Sequence, residues 1–300
     1  MTNRARVAIA TSERGRRLDQ EDLARTLDAL SAGGFDAAEG CWDDEAVDWM
    51  RFDCVVIRSA WGYADRREEF LSWARTINRL ANPLSVLKWN TDKRYLADFT
   101  SAGVPTVPTT WIDPGSSSSF ALPEVDFVVK PTVGAGGMGA ARFGPFDVAH
   151  AMEHISALLH EGKSVMVQPY LRAIERDGER GLIFLGGRFS HAIYKPPLLA
   201  TRGPFVAGSL TVDIIRPMDA TDTDLEFASS VLAAVPGGSE RLLYVRVDIA
   251  SADDGSPLLI ELEATEPNLY FNYSPGSANR FAEAVRVWFA DNQGEPDEES

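Results

Sequence analysis

The sequence predicts an α/β protein, with an open N-terminal α/β unit followed by a larger region of mixed strands and helices. Three observations carry this. Apolar runs at 7–10 and 54–57 flank a helical pattern, giving the strand–helix–strand order of an open sheet. A strand-like run, FVVK, delivers Lys130 into the glycine-rich segment PTVGAGGMG. Near the C-terminus, runs at 242–250 and 258–263 form a hairpin that carries Asp248, Glu261 and Glu263.

A chain of 300 residues, 45% hydrophobic, can bury a large core and suggests two or three domains. A net charge of −15 with no basic stripe argues against a nucleic-acid partner. Part of that charge lies in the terminal DNQGEPDEES, expected to be a solvated acidic tail. Cys41 and Cys54 make no disulfide framework and lack metal-ligand spacing, so both read as small core residues in a reducing compartment. His150, His154, His160 and His191 show no metal-site pattern; His191 reads as a strand residue. The N-terminal apolar run is too short for a secretory signal, and no stretch reaches the length of a membrane span. A cytoplasmic protein without membrane contact is the expectation.

Residues 7–10 read as a buried strand. Leu18, Leu23, Leu27 and Leu30 then give helical periodicity, which Gly33-Gly34 ends. The strand at 54–57 runs directly into Arg58, Ser59, Ala60, Trp61, Gly62 and Tyr63. Ligands of open α/β sheets bind beyond the carboxyl ends of the strands, so Arg58, Ser59, Trp61 and Tyr63 are candidate substrate contacts. Edge packing accounts equally well for the two aromatics. Arg58 is more suggestive, because a charge leaving a buried strand needs a partner.

Residues 70–80 read as a helix closed by Asn82-Pro83. Thr91 or Asp92 can cap a helix running to about Thr100 and ended by Gly103, with Lys93 in its first turn. A cation there opposes the helix dipole unless an anion lies close by; a solvated lysine is the bland alternative. Residues 115–119 read as a flexible linker.

Gly134, Gly136, Gly137 and Gly139 free the backbone to take positive φ and to approach a ligand closely. Successive exposed N–H groups can cradle an anion, and Lys130 adds a positive charge beside them. A plain hairpin turn fits the same residues. The dinucleotide fingerprint does not fit, because Gly144-Pro145 interrupts the helix it must open. A P-loop does not fit either, since Ala157 stands where its first glycine belongs.

Residues 148–159 read as an amphipathic helix. The strand at 165–167 ends in Gln168-Pro169-Tyr170-Leu171, a natural hinge. Strands at 181–187 and 188–194 meet at a Gly-Gly turn, with Glu179 before the first and Lys195 closing the second. Residues 196–210, rich in Pro and Gly, read as a loop of lid length, and 224–234 as a helix. In the last hairpin Glu261 and Glu263 share a strand face. Carboxylates converging there with Asp248 repel unless a cation neutralises them, and oxygen ligands without His or Cys favour Mg²⁺. A solvated acidic face is the alternative. Arg246 shares the Asp248 face and can pair with a carboxylate or meet phosphate.

In order, Lys93, Lys130 with its glycine-rich loop, the QPYL hinge, Lys195 and the R-V-D…E-L-E hairpin resemble the ATP-grasp superfamily over nearly the whole chain. The resemblance implies a Rossmann-like pre-ATP-grasp domain at 1–90, a small ATP-grasp subdomain at 91–171, a C-terminal subdomain with the metal site at 172–290 and a tail at 291–300. It implies ATP and Mg²⁺ as cofactors. Lys93, Lys130 and the loop Gly134, Ala135, Gly136 and Gly137 would meet the nucleotide phosphates, and Lys195 the γ-phosphate. The Gln168, Tyr170 and Leu171 backbone would meet adenine, Glu179 the ribose, and Asp248, Glu261 and Glu263 the metal. Many members carry asparagine where Glu263 stands. RSAWGY, LKWNTDKRYL, GRFSHAIYK and ELEATEPNLYF resemble the glutathione-synthetase-like subgroup, which includes a cyclo-ligase that closes O-ureido-D-serine to D-cycloserine.

The resemblance implies activation of a small amino-acid-like carboxylate as an acyl phosphate, followed by attack of a nitrogen to form a C–N bond. Lys195 and Arg246 are the candidate catalytic residues, and Arg58 and Arg246 candidates for holding the substrate carboxylate. An intermolecular amino-acid or peptide ligase, a small-molecule kinase and a non-catalytic nucleotide sensor are the rival readings. A homodimer is compatible with all of them.

Overall fold

The computed structural model describes residues 4–116, 120–204 and 215–292. The first sheet is entirely parallel, in the order β2-β1-β3-β4, from β1 (Arg6–Thr11), β2 (Asp36–Cys41), β3 (Cys54–Ile57) and β4 (Leu80–Ala81). Val7, Ala8, Ile9 and Ala10, like Val56 and Ile57, are wholly buried, as expected of parallel strands covered on both faces.

The helical pattern after β1 is two helices rather than one, α1 (Glu13–Leu18) and α2 (Gln20–Ala32). They break at Asp19, whose carboxylate turns inward to Ser59 and Asn268 instead of capping α2. The helix expected at 70–80 is α3 (Arg67–Ala74), and it stops early. Leu80 and Ala81 pair instead with Val55 and Val56, because an edge place in the sheet buries both. Next come α4 (Leu84–Asn90) and α5 (Tyr95–Ser101). Lys93 therefore precedes α5 and does not lie in its first turn; its N–H donates to the Thr132 carbonyl at 2.8 Å.

The rest of the chain builds two antiparallel sheets from β5 (Thr110–Ile112), β6 (Phe127–Pro131), β7 (Ala141–Phe143), β8 (Val165–Pro169), β9 (Glu179–Leu185), β10 (Arg188–Lys195), β11 (Gly203–Pro204), β12 (Arg216–Met218), β13 (Tyr244–Ser251) and β14 (Pro257–Glu263). One has the order β11-β7-β6-β8-β5, the other β12-β10-β9-β13-β14. The remaining helices are α6 (Val148–His160), α7 (Ala173–Asp177), α8 (Asp222–Ala233) and α9 (Ser277–Asp291). The glycine-rich segment connects β6 to its antiparallel neighbour β7, so it is at once a hairpin connection and a loop free to meet a ligand. Of the segments read as linker, lid and tail, residues 117–119, 205–210 and 293–300 lie outside the described residues. Among the described residues no helix is long and apolar enough to cross a membrane.

The β9–β13 sheet has two coated faces. Leu182, Phe184, Val245 and Val247 pack with Phe99, Phe227 and Val231. On the other face Ile183, Leu185 and Tyr244 pack with Ile9, Leu30, Phe281 and Val285, which joins this sheet to the N-terminal unit. Asn82 pins the junction. Its backbone sits in the left-handed region (φ 54°). Its amide nitrogen donates to the carbonyls of Tyr244 (2.8 Å) and Ala264 (2.6 Å), while its oxygen accepts from the Leu243 N–H at 2.7 Å. Asn82→Ala orphans three buried groups and keeps the unfavourable φ, so it should lower unfolding free energy by about 3 kcal/mol or more. Denaturant unfolding measures this, and Asn82→Gly should recover only the backbone part.

Candidate active site

Between the β6/β8 side of one sheet and β10, β13 and β14 of the other lies a cavity of about 290 Å³. Lys130 reaches it from β6, Gln168 from β8, Tyr170 and Leu171 from the hinge, and Lys195 from the end of β10. Gly134, Gly136 and Gly137 close one side; Gly136 and Gly137 take φ of 61° and 74°, conformations that favour glycine. Glu179, Arg246, Glu261 and Glu263 also face the cavity, as does Trp61 from the N-terminal unit. Ala135 and Tyr63 line a small annex of about 30 Å³ beside it.

The charges in this cleft are interlocked. Arg246 forks onto Asp248, with Nε to Oδ1 at 2.8 Å and an Nη to Oδ2 at 2.9 Å, and it also pairs with Glu263. Lys195 bridges Asp248 (2.8 Å) and Glu179 (3.0 Å). Lys93 pairs with Glu261 at 3.0 Å and donates to the Gly134 carbonyl. Gly181 makes the crowding possible: a Cβ there would sit 3.0 Å from the Asp248 Oδ1 and 3.3 Å from the Arg246 side chain. Among the described residues Lys130 forms no ion pair.

These contacts set the protonation states. Burial opposes charge on Asp248, yet Arg246 and Lys195 outweigh it and hold its carboxyl down to about 2. Glu261 is likewise lowered, Lys93 and Lys130 prevailing over burial. Glu263 is pushed up to about 7, by burial first and then by Glu261 and Asp248, against the pull of Arg246. Burial lowers Lys130, with Lys93 and Lys195 adding to the effect against Glu261. Asp248, Glu261 and Glu263 each offer an oxygen, and these oxygens lie within 4.8 Å of one another. The hairpin register explains this, since Arg246 faces Glu263 and Asp248 faces Glu261 across the ladder.

Two of the N-terminal candidates are placed elsewhere. Arg58 is fully buried and does not reach the cavity. Its guanidinium stacks 4.9 Å from the Phe271 ring, lies 3.6 Å from Asp22 and 3.9 Å from Asp19, and bonds Thr26 at 3.1 Å. The reason is direct: Asp19, just before α2, and Asp22, within it, face the end of β3, so the charge leaving that strand finds its partners inside the protein. Ser59 is also buried, bonded to Asp19. Sequence reasoning missed Asp19 and Asn268, which link this cluster to the cavity: Asn268 donates to Asp19 at 3.1 Å and accepts from Arg246 through its carbonyl at 2.9 Å. It also missed Tyr270, whose ring lies 5.5 Å from the Arg246 guanidinium. Tyr270 belongs to the ELEATEPNLYF motif, which was the available signal.

Three sheets flanked by helices, a glycine-rich hairpin over a cation-lined cleft and a carboxylate cluster on the facing sheet define an ATP-grasp ligase, an ATP-dependent enzyme that forms C–N bonds. Residues 7–84 match the family model described as D-cycloserine synthetase DcsG, N-terminal domain. The cycloserine biosynthesis protein DcsG of Streptomyces lavendulae is 37% identical over 278 residues, covering 88% of this chain and 92% of that protein. The crystal structure of D-cycloserine synthetase DcsG superposes with a TM-score of 0.87 at 34% identity, over 95% of this chain and 100% of that one. D-alanine–D-alanine ligase from Bacillus anthracis, complexed with ATP, shares the fold with a TM-score of 0.69 at 13% identity, over 96% of this chain and 98% of that one. The chain belongs to the D-cycloserine synthetase family of ATP-grasp ligases.

Two substitutions separate the role of the buried Arg58 from that of Lys195 at the cavity wall. Arg58→Ala leaves Asp19 and Asp22 without their buried cation and should cost about 3–5 kcal/mol of stability, read by denaturant unfolding. Lys195→Met removes the cation shared by Asp248 and Glu179, and a steep fall in kcat with a modest loss of nucleotide affinity is the outcome expected if that cation meets a phosphoryl group in transfer. Single-turnover rates and nucleotide titrations measure the two effects.

Proposed function

We propose that the protein is a cyclo-ligase acting on O-ureido-D-serine or a close analogue, with ATP as the activating co-substrate. One observation carries the reading: identity of 37% across 88% of the chain to a protein of cycloserine biosynthesis. A substrate carboxylate oxygen attacks the γ-phosphorus of ATP, the bond from that phosphorus to the β–γ bridging oxygen breaks, and ADP leaves. The nitrogen on the substrate's own side chain then attacks the acyl carbon. The nitrogen is the oxygen-bound one of the ureido group. The C–N bond forms, phosphate departs with its oxygen and the nitrogen releases its proton. Water then removes the carbamoyl group that this nitrogen carries, as carbon dioxide and ammonia.

Lys130, Lys93 and the glycine-rich loop bind the phosphates in this reading, while Lys195 neutralises the transferring group. Gln168, Tyr170 and Leu171 hold the base and Glu179 the ribose. Arg246 orients the substrate carboxylate, and Trp61 shields the acyl phosphate from water. The cluster Asp248, Glu261 and Glu263 fits Mg²⁺, because three converging oxygens, one on a carboxyl raised by burial and by its acidic neighbours, call for added positive charge. Bound there, Mg²⁺ supplies charge neutralisation to the phosphates.

The test is incubation of the enzyme with ATP, Mg²⁺ and O-ureido-D-serine. Equal release of ADP and phosphate with appearance of the ring is expected. A stable phosphorylated product without a new C–N bond, or dependence on a second amine, overturns the reading. Glu261→Gln should reduce turnover at least about a hundredfold. Near-normal turnover with unchanged Mg²⁺ dependence overturns the metal assignment.

A further inference from the structure

Pairing the charges around the cleft leaves two groups over. Lys93, Lys195 and Arg246 are matched by Glu261, Glu179, Asp248 and Glu263. Lys130 remains on the nucleotide side, where a phosphate would satisfy it. On the other side remains Glu266, which is 8% exposed, lies beside Tyr63 and forms no ion pair among the described residues. Glu266 lines the annex of about 30 Å³, whose walls also include Trp61, Lys93, Glu261 and Glu263. That space continues into the main cavity, since Trp61, Lys93, Glu261 and Glu263 border both.

We infer that Glu266, beside Tyr63 in the annex, is the specificity-determining residue that binds the cationic α-amino group of the substrate. The annex is small and lined mainly by polar groups, with Glu261, Glu263 and Glu266 outnumbering its one cation, Lys93. Its carboxylates make it repel anions and favour a cation bearing several N–H donors. Burial, then Glu263, pushes the Glu266 carboxyl up to about 8 against the pull of Lys93, so the group favours its neutral form until a further cation, such as an ammonium, lies beside it. Arg246 lies across the same cavity, so a zwitterion held at both ends would present its carboxylate to the nucleotide side. This inference rests on the ligase reading above and extends it to the choice of substrate.

The experiment compares O-ureido-D-serine with its des-amino counterpart, 3-(ureidooxy)propanoate, in wild type, Glu266→Gln and Tyr63→Phe. Loss of the amino group should cost the wild-type enzyme about ten- to a hundredfold in kcat/KM. In Glu266→Gln the same loss should cost no more than about threefold, with ATP affinity by direct titration unchanged. Tyr63→Phe, a smaller lesion, should fall between the two. Equal discrimination in wild type and Glu266→Gln overturns the inference and leaves the ligase reading intact, and so does loss of ATP affinity together with loss of turnover. Failure of the wild type to process either compound overturns the proposed function and this inference with it.

Discussion

Asp248 is wholly buried, and a carboxylate in that position is tolerable only because Arg246 and Lys195 both reach it. Much of the C-terminal region serves that arrangement. β9 carries glycine at position 181, leaving room for the pair, and β10 ends so that Lys195 arrives beside it. β14 sets Glu261 and Glu263 opposite Asp248 and Arg246, while the other face of the hairpin is sealed by Val247, Leu259 and Leu262. The pairs hold Asp248 and Glu261 ionised and leave Glu263 near its titration point.

The N-terminal unit is bound to this centre by polar contacts as much as by packing. Arg58 fixes Asp19 and Asp22; Asp22 accepts from the Phe271 and Asn272 N–H groups at 3.1 and 3.2 Å. Asp19 holds Asn268, whose carbonyl takes a hydrogen from Arg246. A residue expected at the substrate thus acts instead on the loop that carries Asn268 and Tyr270 to the cavity. On the far side, Arg142 stacks 3.5 Å from the Tyr170 ring, pairs with Asp126 and Glu175, and donates to the Leu199 and Ala200 carbonyls. It ties the hinge to the segment after β10, so the wall around Tyr170 and Leu199 is fixed from behind.

Several elements were legible in the chain because local chemistry decides them. The strand at 54–57 is wholly apolar and has the predicted bounds, and the Gly186-Gly187 turn takes φ of 54° and 73° as such a turn requires. The alternation of Glu261, Leu262 and Glu263 places two carboxylates on one face whatever surrounds them. Helix limits were less legible. Nothing local distinguishes Leu80-Ala81 as the end of a helix from the same pair as an edge strand; pairing with Val55 and Val56 decides it.

By itself, then, the sequence determined the α/β class, the glycine-rich hairpin with Lys130, and the acidic face of the last hairpin, all of which follow from periodicity and backbone freedom within a few residues. Only the tertiary structure decided the fate of Arg58, the reach of Lys93 to Glu261, and the isolation of Glu266 beside Tyr63. Each depends on which distant charge lies within a few ångströms, and at those distances inside a protein electrostatics outweighs any local preference.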